Sequence, residues 1–214
     1  MPREILIYGA GGAGRQLAFA LSVEKNPAIA WVVKGFIDDT KRQGEIVNGI
    51  SVLGGIDYLR NYSGNVAVAI VDDPLIRRKL ISKLRKNEKM KFPIVISSHA
   101  IVSPHVEWGE GCIVSPFDFV QPNTKFGDFV WMNGQGRIGH NAIIGDYTTI
   151  FSGILIGGGV SIGSDCVIGL GAIILPKRKI GDGSIIGAGS LVAKDIPSKV
   201  VAAGVPAKIV REIE

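Results

Sequence analysis

Aromatic residues are scarce in this chain: Phe, Trp and Tyr make up 7% of its 214 residues. Histidine occurs three times and cysteine twice. Each shortage excludes something. Single-stranded nucleic acid is bound by stacking bases on aromatics set among basic residues. No basic run here is interleaved with aromatics, so nucleic acid is not an expected partner. No His/Cys/Asp grouping has the spacing of a ligand set, so no metal is expected. No apolar run approaches the roughly 18 residues of a membrane-spanning helix, so no membrane partner is expected either. The start, "MPREILIYGAGG", lacks the cationic, apolar and cleavage segments of a secretory leader. The expectation is a soluble, cytoplasmic protein.

What the chain has instead is glycine, 29 residues of it, against a usual share of about 7%. The net charge is +5, and it is uneven. Residues 1–100 hold 15 Lys/Arg and 9 Asp/Glu, whereas residues 101–214 hold 9 and 10. A basic first half suits an anionic, phosphate-bearing small molecule. The run "RRKLISKLRKNEKMK", which supplies much of that charge, reads first as a solvated helix face.

From residue 102 every sixth position is apolar, from Val102 and Trp108 through Ile138, Ile144, Ile150 and Ile156 to Val192, sixteen in all. Random order at this composition would produce that about once in several hundred thousand trials. Nine of the sixteen are followed directly by glycine. A period of six fits neither a helix nor a simple strand. It fits a β-solenoid whose flat sides each use one hexapeptide, three to a coil. The apolar residue points inward, the following glycine is expected to turn the corner, and residues 18 apart stack about 4.8 Å apart. Four residues after each apolar position a small inward side chain is expected, as at Thr124, Ala142 and Ser184. Cys112 and Cys166 both fall there, three coils apart. That is roughly 14 Å along the axis, beyond the ~7 Å reach of a disulfide, so two free buried thiols are expected. "PKRK", residues 176–179, reads as a break in the rhythm.

The first hundred residues read differently. "EILIYGAGGAGRQLAFAL" is a buried strand, a glycine loop and a helix, with Gly9, Gly11 and Gly14 at the G-x-G-x-x-G spacing that presents backbone amides to a phosphate. "WVVKGFID" ends in Asp38 and Asp39; "VAVAIVDD" brings Asp72 ahead of Pro74 at a helix start; "FPIVIS" is a fourth strand. Alternating strands and helices argue a small parallel α/β domain with the loop and the acidic pair at neighbouring strand ends. With no second mononucleotide half, a single nucleotide bearing a sugar is favoured over a dinucleotide. The expected architecture is an α/β Rossmann-like domain over residues 1–96 and a β-helix with a C-terminal tail over residues 97–214.

Taken together and in order, "YGAGGAG", "GFIDD", "IGHNAIIGDY", "GGGVSIG" and "AGVPAKIV" resemble the nucleotide-sugar acetyltransferases of the PglD/NeuD type, within the hexapeptide-repeat acyltransferase superfamily. The resemblance implies that the β-helix is left-handed. It implies N-acetylation of a UDP- or dTDP-linked amino-deoxy sugar by acetyl-CoA, for glycan or surface-polysaccharide synthesis, in a homotrimer with active sites between subunits. By the same resemblance Gly11, Gly12, Ala13, Gly14, Asp38, Asp39, Asp72 and Asn133 contact the nucleotide-sugar. His140 is the base, with Asn141 beside it, and Gly158 donates a backbone N–H near the thioester carbonyl. Thr149, Leu170, Ala188 and Pro206 line the cofactor. Lys177 and Lys194 read from their charge alone, either as partners of the coenzyme's phosphates or as part of a solvated charged corner. The chain departs from the pattern at Ala13, where the family loop has histidine, at Asn141 in place of an acid, and at Thr149 in place of a second histidine. It departs again at Ser97 and His99, where the family's "HPSA" motif is shifted. A sugar or sialic acid O-acetyltransferase and a non-catalytic nucleotide-sugar-binding trimer remain the alternatives.

From spacing alone, His140 falls just past inward Ile138 and Gly139, hence outside the prism near a corner. There it is either a solvated surface histidine or a base. Gly158, one coil on, would stack about 5 Å from it, and acyl transfer to an amine needs both a base and an oxyanion donor.

Overall fold

Hydrophobic periodicity changes near residue 98, and the backbone changes with it. The structure, a computed structural model, describes residues 3–24 and 30–213. It divides into two units, Met1–Ser98 and His99–Glu214.

In the first unit the apolar strand β1 (Arg3–Tyr8) is central, with Ile5, Leu6 and Ile7 fully buried. Helix α1 (Gly12–Ser22) follows, then β2 (Trp31–Ile37), β3 (Ile46–Val47), β4 (Ile50–Gly54), a 3-10 turn over Ile56–Asn61, β5 (Gly64–Val68), α2 (Pro74–Leu84) and β6 (Met90–Lys91). The sheet order is β3-β4-β2-β1-β5-β6, parallel except for the β3–β4 hairpin. That hairpin turns on Asn48 and Gly49, both with positive φ, the Asn-Gly signature of a tight turn. The expected fourth strand, "FPIVIS", is corrected: Met90–Lys91 pairs with β5 instead. "FPIVIS" keeps only the two-residue strand Val95–Ile96, outside this sheet. Pro93, near its start, has no N–H to give a ladder. Asp73 caps α2 by accepting from Leu75 and Ile76 N–H, with Pro74 in the first turn.

In the second unit, strands one coil apart pair in parallel register, as at Trp131↔Thr149, Ile138↔Ile156 and Ile144↔Ile162. Every sixth residue from Val114 to Val192 is buried, and Trp108 stacks on Phe126 at the first coil, 4.3 Å between centroids. Cys112 and Cys166 are free and fully buried, and burial pushes the Cys166 thiol up to about 11. A hairpin of Val200–Gly204 and Ala207–Glu212 ends the chain.

Two expectations about this unit are corrected. The corner is not turned by the glycine after the inward residue. It is turned two positions later, where all fourteen residues at six-residue spacing from Gly111 to Gly189 have positive φ. Eight of these fourteen are not glycine, Asn123, Asn141 and Lys177 among them. From Phe117 on, each corner N–H is held by the coil before, as Asn141 N–H is by Pro122 O at 3.0 Å. The glycine after the inward residue has another reason. A Cβ on any of the nine would come within 2.8 Å of the next coil; on Gly139 it would stand 2.5 Å from Gly158 N. Close stacking, not φ, requires glycine there. Nor does "PKRK" break the rhythm: Lys179–Ile180 pairs in register with Ser161–Ile162, and Lys177 is an ordinary corner residue.

Candidate active site

At the carboxyl ends of β1, β2 and β5 the first unit has a cleft of about 320 Å³, lined in part by Gly11, Gly12, Ala13, Asp38, Asp39 and Asp72. Six of the expected substrate residues therefore share one cavity. Gly14 does not line it: a Cβ there would collide with Gly9 O, so this glycine lets α1 pack against the loop. The start of α1 has no side-chain cap and no acid in its first turn, which leaves its amide ends available to an anion.

Both acids of the pair are engaged in building the cleft. Asp38 accepts from Ala10 N–H at 2.8 Å and from Thr40 through its N–H and hydroxyl. It thereby ties the glycine loop to the end of β2. Burial works to raise its pKa, but the bonds from Thr40 and Ala10 and the charge of Lys41 outweigh it and hold Asp38 below its ordinary value. Asp39 accepts from the Tyr8 hydroxyl and from Ile56 N–H. Burial, then that bond and the two carboxylates, pushes the Tyr8 phenol above its usual range. Tyr8 and Thr40 were legible only as neighbours of the motifs, since nothing in spacing marks them as wall-builders.

The second constellation lies on one edge of the β-helix. His140 is exposed. Its main-chain N–H donates to Gln121 Oε1 at 3.0 Å, and its carbonyl accepts from Gly159 N–H at 2.8 Å. Its Nδ1 stands 3.0 Å from the Asn141 side-chain nitrogen, a pairing whose direction depends on the histidine tautomer. Gly158, one coil on, lies directly against the imidazole. A Cβ there would be 2.7 Å from Nε2 and 2.8 Å from Cε1. Pro176 and Lys177 continue the same edge, where Lys177 N–H donates to Gly158 O at 3.0 Å. The result is a one-residue gap in the side-chain wall, with Nε2 facing bare backbone.

Other expected residues lie elsewhere. Leu170, 55% exposed, and Ala188 stack on a different edge, past the face built from Ile150, Ile168 and Ile186. One full face separates them from His140. Asn133 follows that same face, its carbonyl accepting from Ser152 Oγ at 2.7 Å. Thr149 is corrected: it is fully buried, paired between Trp131 and Val167, and offers no surface to a cofactor in this chain. Lys194 is exposed, one coil beyond Pro176, and Pro206 is exposed in the turn of the last hairpin. Gln121 was not anticipated; only knowledge of the coil pitch places it beneath His140. Among the described residues no three His, Cys, Asp or Glu form a metal-binding group, and no helix is long and apolar enough to cross a membrane.

Residues 4–84 match the PglD N-terminal domain, and residues 159–194 match the bacterial transferase hexapeptide repeat. The fold is similar to PerB from Caulobacter crescentus, solved with CoA and GDP-perosamine: 30% identity, 97% of each chain covered, TM-score 0.87. It is similar to WeeI from Acinetobacter baumannii, at 31% identity over 97% of this chain and 100% of that one, TM-score 0.84. It is also similar to the acetyltransferase domain of PglB from Neisseria gonorrhoeae with acetyl coenzyme A, at 28% identity over 98% and 100%, TM-score 0.87. No curated protein sequence matches. With a Rossmann-like unit, a left-handed parallel β-helix and whole-chain likeness of this degree, the chain belongs to the PglD family of nucleotide-sugar acetyltransferases, which use acetyl-CoA.

Proposed function

We propose that this protein moves the acetyl group of acetyl-CoA onto the amino group of a nucleotide-linked amino-deoxy sugar, with His140 as the base. The observation that carries the reading is the imidazole Nε2 pressed against the bare backbone of Gly158. The substrate amine attacks the thioester carbonyl, and its proton passes to Nε2. The Gly158 N–H donates to the oxyanion as it develops, and the C–S bond then breaks, with the proton returned to the departing thiolate. For Nε2 to hold a lone pair, Nδ1 must carry the hydrogen. Asn141 serves this when its amide oxygen, rather than its nitrogen, faces Nδ1, an assignment that the heavy-atom separation of 3.0 Å accommodates equally. An asparagine here orients the ring without the negative charge that an acid would add.

The cleft of the first unit holds the nucleotide, its diphosphate at the start of α1. Uridine and thymidine diphosphate sugars are our first candidates; PerB was solved with a GDP sugar. Leu170 and Ala188 sit one face away from His140, and two copies of the chain meeting edge to edge would bring both edges against a single acetyl-CoA. Repeated head to tail, such a contact closes into a ring, and we propose a homotrimer whose active sites lie between subunits. Lys177 and Lys194, on the His140 edge, meet the phosphates of the coenzyme.

Thiol release from acetyl-CoA over a panel of UDP-, dTDP- and GDP-linked amino sugars tests the reaction. Turnover on one of them, reduced about 10²- to 10⁴-fold by His140→Ala, is the expected result. Turnover that survives the substitution removes His140 from the role. Binding of nucleotide-sugar without turnover on any member would leave a non-catalytic binding protein.

A further inference from the structure

The nucleotide cleft does not end at the acidic pair. A second cavity of about 350 Å³ adjoins it, sharing Tyr8, Asp39 and Ile70. That size falls among small-molecule sites, which run about 300–1,000 Å³. Its outer wall is one face of α2: Ile76, Lys79, Leu80 and Lys83, at i, i+3, i+4 and i+7. Ile56 and Ile70 add apolar side chains to the lining. Ile76 is 54% exposed, a large apolar side chain left to solvent at the mouth of a cavity.

The chemistry of this wall is one-sided. Lys79 and Lys83 stand four residues apart on one helix face, where like charges disfavour the helix. Neither has an ion-pair partner among the described residues. The nearby carboxylates are already committed: Asp39 to the Tyr8 hydroxyl and Ile56 N–H, Asp57 to Arg60 at 2.7 Å. An ammonium carries three donors and no acceptor. The cavity therefore offers apolar walls for a flat ring and donors for its edge.

Resting on the reading of the cleft as a nucleotide-sugar site, we propose that Lys79 and Lys83 read the nucleobase and select keto bases over amino bases. Uracil and thymine present O4, and guanine O6, as acceptors; cytosine N4 and adenine N6 are donors and meet the ammonium groups like against like. Two lysines thus set which nucleotide-sugars enter, whatever the sugar.

Isothermal titration of the full chain with UDP, CDP, GDP and ADP tests this, because each keto–amino pair has the same ring size. UDP over CDP, or GDP over ADP, should bind roughly tenfold or more tightly, the difference one hydrogen bond to a charged group makes. Lys79→Met or Lys83→Met should bring that ratio toward one while CDP and ADP affinities hold. Lys79→Glu, an acceptor in place of a donor, should move the preference toward the amino base. Equal affinity within both pairs overturns the proposal, as does a methionine variant that weakens all four alike, which marks a phosphate contact. If none of the four binds to the folded protein, the nucleotide-sugar reading itself fails, a result distinct from equal binding.

Discussion

Gly158→Ala isolates the contact on which the chemistry rests. Its φ lies outside the left-handed region, so alanine brings no backbone strain there. The new Cβ would stand 2.7 Å from His140 Nε2 and 2.8 Å from Cε1, against an ordinary contact beginning near 3.4 Å. The three nearest atoms all belong to the imidazole, an exposed side chain free to swing aside. The fold thus survives while the ring retreats by about 0.7 Å or more, and a displacement near 1 Å costs about 10²-fold in rate, or roughly 2.7 kcal/mol of barrier. The Gly158 N–H is retained, so the loss reports the ring rather than the donor. Steady-state kinetics at saturating acetyl-CoA should show that fall in kcat with thermal unfolding within about 2 °C of wild type. In the double variant with His140→Ala the second substitution should cost less than about twofold, because the ring it displaces is gone. Wild-type kcat in Gly158→Ala, or additive losses in the double variant, would refute the reasoning.

Two further outcomes follow from the coil geometry. Gly139→Ala places a Cβ 2.5 Å from Gly158 N, which is backbone and cannot swing away; a loss of about 3 kcal/mol or more, measured by denaturant unfolding, is expected, as for an overpacked core. Asp118 is 1% exposed, and burial pushes its carboxyl up to about 7 despite N–H donors from Gly136 and Ser115. Its folded pKa lies above the unfolded value of 3.8, so the stabilisation is fully present below that value and is lost as pH rises toward 7. Unfolding at stepped pH should show wild type losing up to about 1.4 kcal/mol per unit across that window relative to Asp118→Asn; parallel curves would contradict it.

Much of the β-helix was legible because its core obeys a strict count: one inward apolar residue in six leaves a pattern no helix or plain strand can imitate. The edge position of His140 and its stacking on Gly158 followed from that count. The corners were not legible. Asn141, Lys177 and Phe129 turn the chain in a conformation that asparagine tolerates and phenylalanine does not favour. What holds them there is the N–H to the previous coil, invisible until the coils are stacked. The same hidden stacking produced the misreading of the glycines, whose reason is a neighbour one coil away. In the first unit the acidic pair was visible, but not that Asp38 and Asp39 are tied to Ala10, Thr40, Tyr8 and Ile56. Thr149 was a cofactor position by resemblance alone, at the place of a second histidine, and nothing in its spacing shows its complete burial.

The central claim is that acyl transfer uses the His140 edge of one chain and the Leu170 edge of another. Mixing His140→Ala subunits with Leu170→Glu subunits, each nearly inactive alone, tests it directly through thiol release from acetyl-CoA. After random reassembly of a ring, about one site in four pairs an intact His140 edge with an intact Leu170 edge. Recovery of roughly a quarter of wild-type turnover is the predicted result. Activity no greater than that of the two variants assayed separately, with mixed oligomers present, would place both edges' roles within one chain or outside the reaction.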